Sequence, residues 1–552
     1  MVCQGGPHGQ RWKCCSARNL SSANDCGCAE KRGRWNGDFA SGALLYLIFP
    51  RFVRFLVLKK RSLTGFWLST VLLLAFASLL TSCGSNYYFA GRTLPPSGVL
   101  NRVLIAEQNP SALTKGALPF VDAFYDIRHA YNSNTGSFSI AGYSNALPLT
   151  IQNMPEEQTG GVYGAGDGSF VLVSYAQEKA EGPTTPPGGL SSSIFIDRPR
   201  QFIYAANGAT HVLSVVDLLT GRAYVLNLPN VYRVSVNPGG TIALAFVQNS
   251  TQPANSQIGT TPSDQFSVYS VVGLTSDQQL AASTSTDPQH YLNAQDCEPQ
   301  SLPAFCAFPV STGASASFDH PVKAVFSPDG SSAYVLDCGP ECGGSTAGVT
   351  IIPITQGSLN NNTSGAKGIA LVAQSNIAVP GGTTNAIFNG NTLYLAGQQL
   401  QTSGTYAGLF QGYLSIMNTQ SGQITGLYPI SDGTHNKMVF ADENTLWIGG
   451  TQCISGVTYA KAQASNGTVP YGCLTMFNTS TNAVTLDAYK GDATGIAAVT
   501  GLDKVYTAEG GQVYIYNTAD MSERSNFNVT VSGTAADVAY MDAASDDDNT
   551  TY

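Results

Sequence analysis

Short runs in which apolar and polar residues alternate, each closed by a turn signal, fill most of this chain. Phe170-Val-Leu-Val-Ser-Tyr175, Gln201-Phe-Ile-Tyr-Ala-Ala206 and Lys504-Val-Tyr-Thr-Ala508 are examples. A period of two marks β-strands, because successive side chains point to opposite faces of a sheet. No long stretch of helical period occurs beyond residue 83. Gly, Ser, Thr, Asn and Tyr are abundant there and Lys and Glu are scarce, which suits strands joined by turns.

The strands recur as a unit. A turn holding Asp, Asn or Gly precedes a strand with an aromatic and small residues. Seven copies begin at Asp167, Arg198, Asn237, Ser327, Asn389, Ala441 and Gly501. Several are followed by an apolar strand that ends in Asp or Asn and a polar turn, as at Leu213–Gly221, Leu414–Gly422, Leu474–Ser480 and Val513–Asp520. The turn Asp or Asn is expected to accept hydrogen bonds from nearby backbone amides. Each unit is a β-meander whose faces need neighbours to cover them. Seven copies predict an all-β fold, a seven-bladed β-propeller spanning residues 160–540. The wide gap between Gly239 and Asp329 predicts an insertion. Ser327–Val335 and Val215–Gly221 resemble the YVTN family of propellers, which implies the fold and leaves the activity open.

Residues 83–159 read as a tether with strands near Phe120–Ile127 and Gly136–Gly142. They are expected either to close the ring with Val538–Tyr540 or to form a small packing module. Residues 541–552 read as an acidic, disordered tail.

One apolar run departs from the alternation. Residues 62–82 carry no charge and follow Lys59, Lys60 and Arg61. A basic stretch, an apolar stretch and small residues before a cut are the parts of a secretion signal. Leu80-Thr81-Ser82-Cys83 resembles the lipobox of bacterial lipoproteins. The resemblance implies a signal peptide over 59–82, cleavage before Cys83, a diacylglycerol on its sulfur and an acyl chain such as palmitate on the new N-terminus. Twenty-one uncharged residues are also enough for an uncleaved helical anchor, with the same topology. Gly84, rather than Asp, follows the cysteine, which slightly favours an outer-membrane address. Residues 1–58 fit a lipoprotein signal poorly; they are expected to be a disordered leader or a mis-called start. Their cysteines, Cys3, Cys14, Cys15, Cys26 and Cys28, match no common zinc spacing.

Charge then narrows the partners. Residues 83–552 hold 16 Lys/Arg against 33 Asp/Glu, a net of −17. Such a surface repels phosphate backbones and disfavours nucleic acid. The six cysteines after Cys83 fall in adjacent pairs, Cys297 and Cys306, Cys338 and Cys342, Cys453 and Cys473. An even count outside the cytoplasm reads as disulfides, with local pairing the simplest of the possible connectivities.

Candidate chemistry is sparse. Of the five histidines after residue 83, His129, His211, His290, His320 and His435, the last three stand near Asp287, Asp319 and Asp432, but no two share metal-ligand spacing. Glu156 and Glu157 are adjacent, so on a strand they would face opposite ways. No nucleophile elbow, phosphate loop or cofactor motif is present, and no cofactor or metal is expected. Trp447 is the sole Trp after residue 83, which disfavours a quinoprotein. The expectation is a binding or scaffold protein of the cell envelope, lipid-anchored at Cys83, engaging a protein, peptide or polysaccharide. The alternative is a lactonase-like hydrolase with a carboxylate-lined funnel.

Overall fold

The computed structural model describes residues 92–545, apart from 130–136, 144–146, 165–167, 192, 198–201, 229, 249–265, 275–295, 299–303, 313–315, 355–370 and 525–528. Cys83, the signal segment, the leader, His290, Asp287 and the tail beyond 545 lie outside the described residues. No helix among the described residues is long and apolar enough to cross a membrane.

The strands build a β-propeller of eight blades, not seven. Blades 2 to 8 have inner strands Pro148–Met154, Ser193–Asp197, Val231–Val236, Pro321–Phe326, Asn385–Asn389, Thr434–Ala441 and Ala493–Val499. Each continues outward as an antiparallel meander. Blade 4 carries a fifth strand, Asp296–Glu298, beyond Ala304–Pro309, where the sequence gap predicts an insertion.

Blade 1 draws its strands from both ends of the chain. Its inner strand is Thr534–Tyr540, paired antiparallel with Arg102–Gln108, which in turn pairs with Phe120–Asp122. The count of seven misses this blade for a physical reason. Its inner and second strands are not joined by a turn, so no turn-strand unit exists in the sequence to be counted. The segment before residue 160 therefore supplies ring strands, and the propeller begins well ahead of that residue.

Six of the seven repeat copies lie at second strands: Phe202–Asn207, Ala243–Gln248, Ser332–Asp337, Thr392–Leu400, Thr445–Thr451 and Lys504–Glu509. The copy near Asp167 instead precedes the third strand of blade 2, Phe170–Ser174. Second strands are the most enclosed; Lys504–Glu509 is buried throughout, whereas the outer strand Gln423–Pro429 alternates. The aromatic of the repeat plugs the gap to the next blade. Tyr204 meets Phe305, Tyr334 meets Phe388, Tyr394 meets Phe440 and Trp447 meets Tyr516, at centroid distances of 6.2, 5.3, 5.5 and 5.5 Å. Large rings fill wedge-shaped gaps and supply much of the buried apolar area.

The Asp/Asn turns behave as the sequence predicts. Asp217, Asn418 and Asn478 accept from the backbone amides of Leu219, Gln420 and Ser480 at 2.9, 3.0 and 3.0 Å.

Candidate functional site: the central cavity and its mouth

The inner strands enclose a cavity of about 910 Å³. Six inner strands bulge near their start, at Ala536, Leu149, Tyr232, Val322, Asn436 and Thr494. A bulge inserts an unpaired residue and re-aims its neighbours. The residue after each bulge is Asp537, Thr150, Arg233, Lys323, Lys437 or Gly495.

These residues form a belt that links blades. Lys437 Nζ lies 2.9 Å from Asp537 Oδ2, reaching from blade 7 to blade 1. Gly495 of blade 8 stands between; a Cβ there would lie 2.7 Å from Asp537 Oδ1 and 2.6 Å from the Val538 amide nitrogen. Asp537 also accepts from the Thr150 hydroxyl and the Ile151 amide of blade 2, both at 2.9 Å. Lys323 Nζ donates to Asn385 Oδ1 of blade 6 at 2.9 Å. Arg233 Nη1 donates to the Val322 carbonyl of blade 5 at 3.5 Å. The belt thus holds three cations and one carboxylate.

The mouth is set by loops between second and third strands, and the disulfides Cys338–Cys342 and Cys453–Cys473 staple such loops. Cys306 is disulfide-bonded as well, and Cys297 lies opposite it in the ladder. The first loop presents Glu341 to the cavity. Glu341 accepts from the Gln398 backbone amide and side chain at 2.9 and 3.0 Å, and burial pushes its carboxyl up to about 7. Gln398 Oε1 accepts from the Gly433 amide at 2.8 Å, so one chain of bonds ties blades 5, 6 and 7. Asp492, also on the wall, accepts from the Gln452 amide at 2.7 Å.

The residues flagged in the sequence have structural tasks. Asp432 caps the helix Val457–Ala464 inside the second stapled loop, accepting from the Thr458 and Tyr459 amides at 2.6 and 3.2 Å. Its carboxyl is raised because burial outweighs these bonds. Gly456 is required beside it, since a Cβ would sit 2.4 Å from the Asp432 Cγ. His435 is fully enclosed, with Nε2 2.9 Å from the Ser431 carbonyl oxygen, and burial lowers its pKa to about 4. Its imidazole is therefore neutral near pH 7.

Asp319 lies 2.7 Å from His320 Nδ1 and accepts from the Ser345 and Thr346 amides at 2.7 Å each, pinning the first stapled loop. His211 Nδ1 accepts from the Asn230 amide at 3.0 Å, and His129 is exposed. Glu156 and Glu157 occupy an exposed 3₁₀ turn after Pro155. Among the described residues no three His, Cys, Asp or Glu side chains stand where they could hold a metal ion.

Sequence reasoning overlooked the belt and a tyrosine patch. The belt has a signal: one charged residue opening an apolar strand, as in Arg233-Val-Ser-Val236, Lys323-Ala-Val-Phe326 and Asp537-Val-Ala-Tyr540. The patch has none, since no local period brings its members together. Tyr459 meets Tyr471 edge-on at 5.4 Å, and Tyr471 stacks on Tyr489 at 5.4 Å. Lys461 Nζ stands 5.7 Å over the Tyr406 ring. Tyr489 and Ile454 are 41% and 46% exposed, and Val469 is exposed too.

No protein-family model matches the chain. No curated protein matches it either. Solved structures resemble it at low identity. The dihydro-heme d1 dehydrogenase NirN in complex with DHE is 10% identical, covering 80% of this chain and 75% of that chain, with a TM-score of 0.47. Apo AztD from Citrobacter koseri is 10% identical over 80% of this chain and 97% of that chain, with a TM-score of 0.40. A proposed 6-phosphogluconolactonase from Bacteroides fragilis is 11% identical over 81% of this chain and 99% of that chain, with a TM-score of 0.40. At these scores the likenesses carry no argument about what this chain does.

Proposed function

We propose that this chain is an extracytoplasmic binding module of the cell envelope, lipid-anchored at Cys83, whose mouth loops engage a protein partner. The tyrosine cluster, exposed at Tyr489 and partly buried at Tyr459 and Tyr471, carries the reading. Clustered Tyr side chains are characteristic of protein interface cores. The patch rests on loops of blades 6 and 7, one of them stapled by Cys453–Cys473, so binding orders little that is not already fixed. Disulfides in the ring fit an oxidising compartment.

The binding reading is favoured over a hydrolytic funnel by the state of the wall carboxylates. Glu341 and Asp492 are each held by bonds from neighbouring loops and strands. The belt on the same cavity is mainly cationic.

The test is differential recovery from envelopes. Wild type and a Tyr471→Ala/Tyr489→Ala variant are purified side by side, with equal unfolding midpoints as the control. A protein retained by wild type and lost from the variant is expected. A polysaccharide lost in that way would replace the protein partner, and identical retention by both chains would remove the patch from the function. For the anchor, Cys83→Ala is expected to move the protein to the soluble fraction. A variant that stays with the membrane would mean an uncleaved helix holds it.

A further inference from the structure

The belt divides its charge unevenly around the cavity. Lys437 is neutralised by Asp537 at 2.9 Å. Arg233 is not: the residue is partly buried, forms no ion pair among the described residues, and its guanidinium makes one long bond to the Val322 carbonyl at 3.5 Å. A guanidinium has five N–H donors in a planar fork suited to carboxylate or phosphate. Leaving it so under-used within a protein is costly, because desolvation opposes the charge. Burial does lower the Arg233 pKa. Val322 immediately precedes Lys323, so the fork lies against the segment that carries a second cation. Lys323 Nζ donates to Asn385 Oδ1 of blade 6 at 2.9 Å. Two cations on neighbouring inner strands thus share one wall of a cavity of about 910 Å³, a size that small-molecule sites commonly have. This runs against the net −17 of residues 83–552, so it does not follow from average composition.

We propose that the wall formed by blades 4 and 5 binds the oxyanion of a small carboxylate- or phosphate-bearing molecule, with Arg233 as its anchor and Lys323 beside it. The site is separate from the tyrosine patch, and the two stand or fall independently. An anion there would complete the fork with charge-assisted hydrogen bonds and lift the desolvation cost.

The full chain is titrated calorimetrically with inorganic phosphate and with citrate, each against chloride at equal ionic strength. Saturable binding of at least one probe is expected. Phosphate alone would point to phosphate esters, and citrate alone to carboxylic acids. Arg233→Gln should weaken the binding by about tenfold or more, the worth of a charge-assisted bond. Lys323→Gln should weaken it as well, which tests the second cation of the same wall. Without any probe, Arg233→Gln should unfold at the same temperature as wild type or higher, because it removes a cation that has no ion pair among the described residues. Absence of saturable binding, unchanged affinity in Arg233→Gln, or a lowered probe-free midpoint that marks Arg233 as a structural strut would each overturn the proposal.

Discussion

Arg102 and Asp542, 440 positions apart, meet in a two-pronged ion pair, Nη2 to Oδ1 at 2.7 Å and Nε to Oδ2 at 3.1 Å. The same guanidinium reaches Glu178 Oε1 at 3.0 Å and the Tyr175 carbonyl at 2.7 Å in blade 2. Arg102 is wholly buried. It therefore joins the first described strand, the segment just after the last one and the adjacent blade at a single point. A ring made from one chain needs such a latch, because its closing blade has no covalent link between inner and second strands.

Arg102→Ala is expected to cost about 3–5 kcal/mol, since it strands Asp542 and Glu178 as buried carboxylates. Urea unfolding would show a lower midpoint. An unchanged midpoint would mean that the strand pairing alone keeps the ring shut.

Gly495→Ala places a methyl group against the Asp537 carboxylate and the Val538 backbone. Crowding of this kind typically costs about 1–3 kcal/mol. Gly501→Ala is not an equivalent control, because Gly501 has φ of 83°. Gly239 has no positive φ, and a Cβ there would come no nearer than 3.8 Å to any other group, so Gly239→Ala should be near neutral in the same thermal measurement.

Asp337 is buried and its carboxyl is pushed up to about 7, chiefly by desolvation. The folded chain keeps this proton after the unfolded chain, near 3.8, has lost it. The contribution to stability is complete below about pH 4 and is lost as pH rises through about 7. Asp337→Asn should flatten that part of the stability–pH curve. Glu341, also raised to about 7, contributes in the same direction. His435, lowered to about 4, acts oppositely and withdraws stability as pH falls from about 6.5 towards 4. Equilibrium unfolding from pH 4 to 8 separates them; an unaltered slope above pH 5 in Asp337→Asn would contradict the assignment.

Removing the Cys453–Cys473 bridge as a double Ala variant opens a loop whose ends are 20 positions apart. Loop-closure entropy puts the loss at about 3 kcal/mol, lessened by any relaxation of the folded loop. Asp432 and the helix Val457–Ala464 should then become the first region to gain hydrogen-exchange rate. Equal protection in both proteins would show that the cap at Asp432 suffices without the bridge.

Much of the blade plan was legible along the chain. Phe202–Asn207, Thr392–Leu400 and Lys504–Glu509 read as strands because alternation is local, and Asp217, Asn418 and Asn478 read as turn residues for the same reason. The blade containing Arg102 was not countable, since its defining pair of strands has no turn between them. The flagged pair Asp432 and His435 was legible as polar residues near a loop. Their tasks were not: one caps a helix and the other is sealed against Ser431.

The sequence by itself determined an all-β chain of repeated meanders, an acidic surface, and cysteines spaced for local bridges. These follow from period, composition and separation, which are properties of neighbours. Only the tertiary structure decided that there are eight blades, that Lys437 finds Asp537 across Gly495, and that Arg233 lines the cavity with no ion pair among the described residues. Those relations are set by how far a closed ring brings together residues hundreds of positions apart, and no local pattern carries that distance.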